Sequence, residues 1–65
     1  MEMLKAPKGK FRVVGVDTFA HEDWIVGDFA DEKTAIETAK AKGGVMTKMH
    51  VYDDRGHHLA QAGSF

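Results

Sequence analysis

The sequence predicts an α+β fold of order ββαββ: a four-stranded antiparallel sheet in strand order 2-1-3-4 with one helix on one face. Three observations carry this. Two runs rich in β-branched residues sit close together, one capped helical stretch follows them, and the last third holds a hairpin turn between two alternating segments. A strand, helix, strand crossover should be right-handed, and placing the first strand between the second and third leaves every neighbouring pair antiparallel.

Phe11 Arg12 Val13 Val14 Gly15 Val16 Asp17 reads as the first strand and Trp24 Ile25 Val26 Gly27 Asp28 Phe29 as the second, joined by the loose loop from Thr18 to Asp23. The chemically sensible register sets Val16 against Trp24, Val14 against Val26, Arg12 against Asp28, Phe11 against Phe29 and Val13 against Gly27. Asp31 offers a side-chain oxygen to the free amides of a helix start, Glu32 sits in the first turn, and Lys40 and Lys42 sit in the last. Gly43 and Gly44 are expected to end the helix in a left-handed conformation. Ala35, Ile36 and Ala39 form its apolar stripe. With Gly15 and Gly27 in the strands, that stripe should lie close to the sheet.

Asp53 Asp54 Arg55 Gly56 fits a type I turn followed by a left-handed glycine, a three-residue hairpin loop. Asp53 opposite His57 then sets Tyr52 against His58, Val51 against Leu59, His50 against Ala60 and Met49 against Gln61. In this register the helix covers Phe11, Val13, Ile25, Phe29, Met49, Val51 and Leu59. The other face shows Val14, Val16, Trp24, Val26, His50, Tyr52 and His58 with no helix over them.

Composition bounds what such a fold can be. Sixty-five residues make one domain, taken as residues 10–65 behind a flexible tail of residues 1–9, and a chain this short buries only about 60% of its unfolded surface. There is no cysteine to form a disulfide, and a structural zinc site would depend on the four His with Asp and Glu. Nine Lys and Arg against ten Asp and Glu, a net charge of -1, give no field suited to coating nucleic acid. The first residues lack the apolar run of a signal peptide and no stretch approaches a membrane span, so a cytoplasmic protein is expected.

The uncovered face is the expected site of action. A monomer rarely leaves Trp, Tyr and several Val contiguous in water, so Val14, Val16, Trp24, Val26, His50, Tyr52 and His58 are read as an interface, with a second copy of the chain as the first partner to expect. The bland reading is that the face curls on itself or that Met3 and Leu4 fold over it. His50 and His58 share that face and could supply half of a transition-metal site or make association pH-sensitive. Surface histidines are common, however, and His57 and His58 point to opposite faces, so that adjacent pair is no chelate.

Other chemistry finds little support. Asp17, Glu22, Asp23, Asp28 and Asp31 lack the spacing of a calcium loop. Asp53 and Asp54 read as turn residues rather than as an acid and base pair. The only serine is Ser64, there is no nucleophile motif, and Gly43 Gly44 does not open a helix to cradle phosphate. No enzyme and no cofactor are expected. Lys5, Lys8, Lys10 and Arg12 make the start locally basic, and with Trp24 and Tyr52 as stacking partners they form an alternative nucleic-acid reading.

Trp24 Ile25 Val26, the helix Glu32 Lys33 Thr34 Ala35 Ile36 Glu37 Thr38 Ala39, and Val51 Tyr52 Asp53 Asp54 Arg55 Gly56 resemble short uncharacterised bacterial proteins grouped as a domain of unknown function. The likeness spans roughly residues 11–60. It implies the fold and a bacterial or phage origin, and no activity, ligand or functional residue. The long Asp17 to Asp23 loop and the His-rich last hairpin depart from that pattern. The sequence thus points to a small non-enzymatic interaction module that is expected to self-associate as a homodimer through the uncovered sheet face.

Overall fold

The computed structural model describes residues 5–17, 19–20 and 22–63. The order is β1 (Phe11–Asp17), β2 (Glu22–Phe29), α1 (Glu32–Lys42), β3 (Thr47–Tyr52) and β4 (His58–Ala62). The four strands form one antiparallel sheet in the order β2-β1-β3-β4, as the pattern of residues requires. No helix of the described residues is long and apolar enough to cross a membrane.

Helix α1 begins where Asp31 accepts the Thr34 amide at 2.9 Å, satisfying one of the unpaired donors of the first turn. It ends differently from expectation. Gly43 is extended (φ -69°, ψ 145°) and its amide still bonds Ala39 O at 2.9 Å, so the stop is not left-handed. A side chain at Gly43 would instead collide with the backbone of Ala62 and Gly63, so closeness to the end of β4 is what requires glycine there.

The core is thin. Val13, Met49 and Val51 pack with Ala35 and Ala39 of the helix, and Phe11, Val26, Phe29, Ile36, Ala60 and Ala62 close around them. Two of the expected members, Ile25 and Leu59, are missing from it because each outer strand carries a bulge. Between Val13 and Val14 the β1–β2 register slips by one, so Gly27 opposes Val13 while Ile25 opposes Val14 and Trp24 opposes Gly15. Val26 is the extra residue. Side chains alternate with a period of two, so the slip moves every residue of β2 beyond it to the other face.

The consequences correct the expected faces. Trp24 lands on the helix side, where Gly15 leaves the space for its ring: a Cβ built at Gly15 would lie 2.5 Å from the indole. Val26 packs against the core, and Ile25 turns outward at 45% exposure. Gly15 and Gly27 therefore make room for the rings of Trp24 and Phe29 rather than for the helix. A second slip in β3–β4, between Val51 and Tyr52, keeps Tyr52 against His58 but sets Val51 against Ala60 and leaves Leu59 as the extra, exposed residue. Bulges on both edge strands also disfavour edge-to-edge pairing with another sheet.

The β3–β4 turn forms as its residues demand. Asp53 N–H donates to His57 O and Gly56 N–H to Asp53 O, both at 3.1 Å, while the Asp53 carboxylate accepts from the Arg55 and His57 amides. Gly56 adopts the left-handed conformation, φ 82°. The segment before β1 is tied to this turn. Ala6, buried, donates to Asp53 O at 3.0 Å, and Gly9 N–H reaches Asp54 Oδ2 at 3.0 Å. The expected tail of residues 1–9 is thus anchored over its second half, and its residues 1–4, with Met3 and Leu4, lie outside the described residues.

Candidate functional site

The face away from the helix can be built row by row from the pairing. Asp28, Arg12, Tyr52 and His58 form one row, Ile25, Val14, His50 and Gln61 the next, and Asp23, Val16 and Lys48 the third. Of the seven residues expected to form an apolar interface here, Val14, Val16, His50, Tyr52 and His58 do share the face, and Trp24 and Val26 do not. Val14 is only 1% exposed and offers no free surface. The face is therefore polar and aromatic rather than a broad apolar patch.

Its first row is fixed by charge. Arg12 donates to both carboxylate oxygens of Asp28, at 2.7 and 3.1 Å, a two-pronged pair that planar guanidinium and carboxylate geometry favours. Asp28 raises the Arg12 pKa by that hydrogen bond. Arg12 is thus committed to Asp28, and with Trp24 and Tyr52 on opposite faces the nucleic-acid surface drawn from Lys5, Lys8, Lys10, Arg12, Trp24 and Tyr52 is split. Lys5, Lys8 and Lys10 are exposed beside the anchored segment.

The middle of the face holds a cluster of three rings. His50 Nδ1 and His58 Nε2 are 3.0 Å apart, sharing one hydrogen bond between two imidazoles. Their ring centroids are 5.1 Å apart, and Tyr52 stands 5.4 Å from His58 and 6.2 Å from His50. Burial, followed by the neighbouring His58 and Lys48, lowers the His50 pKa, and Asp23 opposes that shift. Burial, with Asp23 adding to it, raises the Tyr52 pKa and keeps the phenol protonated at neutral pH. His57, by contrast, points to solvent near Asp53, 3.4 Å away. Among the described residues no three His, Cys, Asp or Glu side chains gather as a metal-binding group.

Besides Ile25 on this face and Leu59 on the edge strand, the most exposed apolar side chains, Phe19 and Val45, lie at the end of the sheet where Asp17 pairs with both Glu22 and Thr47. Asp17 Oδ1 accepts the amides of Phe19 and Ala20 at 3.0 and 3.1 Å, and this turn holds Phe19 outward at 81% exposure. Beside it, Gly44 and Thr47 exchange two backbone hydrogen bonds, so Val45 and Met46 form the tip of a tight turn. Val45 is 81% exposed and Met46 is held at φ 65°, a left-handed conformation that costs an L side chain about 1 kcal/mol or more. Trp24, half-exposed, borders the same end from the helix side. Sequence reasoning missed this turn because its glycines were assigned to the helix stop, while the left-handed position falls on a methionine.

No family model, curated protein or solved structure matches this chain. The functional reading therefore rests on the geometry of its own residues.

Proposed function

We propose that this chain is a small non-enzymatic protein-interaction module that self-associates by burying the apolar end of its sheet. One observation carries the reading: Phe19, Val45 and Met46 are presented at one end of the sheet by turns that hold them away from the core, and Trp24, over Gly15, is exposed two pairs further along. Strain and exposed apolar area both reduce the stability of an isolated domain, and a partner that covers them removes that cost. Covering the four side chains withdraws roughly 300 Å² of apolar surface per copy, about 7 kcal/mol gross at 25 cal/mol per Å², from which ordering costs are subtracted.

A second copy is the partner that the surrounding charges favour. Asp17, Glu22 and Asp23 lie at the start of the hairpin side of this end, and Lys40, Lys42 and Lys48 on the helix and β3 side. A two-fold axis would set the acidic side of one copy against the basic side of the other. Light scattering across concentration should return a dimer for the native chain and a monomer for a Phe19→Ser, Val45→Lys variant, whose circular dichroism shows that it still folds and whose melting temperature falls by the stabilisation that association supplies. A native chain that stays monomeric, or a variant that stays dimeric, would overturn the reading.

A further inference from the structure

We propose that His50 and His58 form a two-imidazole chelating site for a divalent cation of tetragonal preference, Cu²⁺ first and Ni²⁺ second. The site is independent of the apolar end of the sheet. Its two nitrogens come from adjacent strands, on side chains that lie diagonal to one another across β3 and β4. The sheet register therefore holds the two rings within chelating reach of one ion before any ion arrives. Neutral imidazole is the form that coordinates.

The nitrogen donor set and its close spacing favour a tetragonal ion. With imidazole to metal bonds of about 2.0–2.1 Å, the 3.0 Å between Nδ1 of His50 and Nε2 of His58 spans an angle near 94° at the ion. Tetrahedral coordination would need the nitrogens about 3.3–3.4 Å apart. A right-angled bite instead matches adjacent corners of the square-planar or tetragonal arrangement that Cu²⁺ and Ni²⁺ adopt, and Cu²⁺ stands highest in affinity for nitrogen donors. Water completes the coordination shell on the exposed side.

Binding exchanges one bond for two. The proton shared between the imidazoles moves to the remote nitrogen of its own ring, so no net proton is released while both rings are neutral. Each ring then turns by roughly 45° so that its lone pair meets the ion, an adjustment that the broad torsion of histidine allows. The ion joins β4, a short edge strand with a bulge, to the central part of the sheet.

The test uses the full chain without a histidine tag. Calorimetric titration with Cu²⁺ should give one ion per chain, electron paramagnetic resonance should show nitrogen coupling, and the melting temperature should rise with Cu²⁺ and fall back on chelation. His50→Gln and His58→Gln should each weaken binding by about tenfold or more, since losing even an outer partner of a metal ligand costs that much. Both exchanged residues lie on the solvent face, and circular dichroism of the metal-free variants checks that they fold. His57→Gln should leave affinity unchanged, and Zn²⁺ should bind more weakly than Cu²⁺. Binding that survives both single exchanges, or that falls equally with His57→Gln, would overturn the proposal, as would the absence of saturable binding by the native chain.

Discussion

Replacing Gly15 with alanine tests the feature that decides which face of β2 points where. A Cβ there would stand 2.5 and 2.6 Å from Cε2 and Cζ2 of the Trp24 ring and 2.9 Å from its Nε1, so the indole must leave its place. Trp24 is 39% exposed, and on the order of 100 Å² of ring surface would return to water, about 2.5 kcal/mol at 25 cal/mol per Å². Alanine offsets about 0.5–1 kcal/mol of this by restricting the unfolded chain. The net loss of about 1.5–2 kcal/mol should lower the melting temperature by roughly 6–16 °C in a domain this small. Thermal unfolding followed by circular dichroism measures the loss, and a red shift of tryptophan emission reports the displaced ring. In a Trp24→Ala background the same exchange should become neutral or stabilising, because nothing remains to displace. An unchanged emission in Gly15→Ala, or an equal destabilisation in the two backgrounds, would show that Trp24 does not lie over Gly15 and that the bulge at Val26 is misplaced.

Two further outcomes follow from the turns and the ring cluster. Gly56→Ala, at a φ of 82°, should cost about 1 kcal/mol, whereas Gly44→Ala, with no positive φ and open space around its Cβ, should change stability by less than about 0.5 kcal/mol; chemical denaturation of the two variants checks the contrast. Because the His50 pKa is lowered in the fold, the unfolded chain binds more protons, so this stability contribution is intact above the ordinary histidine value of about 6.5 and declines as pH falls below it. His58, Lys48, Asp23 and Tyr52 are the charged and titratable groups around it. Melting temperatures at pH 7.5 and 5.5 should fall more for the native chain than for His50→Gln, and equal falls would refute the assignment. The lowered carboxyl pKa values of Asp31 and Asp53, each held down first by a backbone amide, act only at more acidic pH and leave this window clear.

Much of the molecule was legible in its residues because the signals were local. Asp31 names the helix start through its own carboxylate, Gly56 names the hairpin turn through the one conformation an L side chain resists, and Tyr52 opposite His58 follows from counting outward from that turn. The nearness of His50, Tyr52 and His58 was legible for the same reason: all three lie within two residues of the closing pair or on the unbulged strand β3. The helix stripe of Ala35, Ile36 and Ala39 was equally plain from its spacing.

The tertiary structure decided what the local pattern leaves degenerate. Trp24, Ile25 and Val26 are all apolar, so alternation cannot say which of them points inward, and Leu59 beside Ala60 poses the same ambiguity. The answer comes from packing. A bulge at Val26 puts a large ring over the gap at Gly15, and one at Leu59 turns two small alanines, Ala60 and Ala62, toward the core beneath the helix. Residue chemistry alone thus determined the order of the elements, the start of the helix and the central ring cluster, but not the way the helix ends. Where the apolar surface emerges depends on a one-residue slip in each outer strand, which is set by the fit of whole side chains across the sheet and has no signature within either strand.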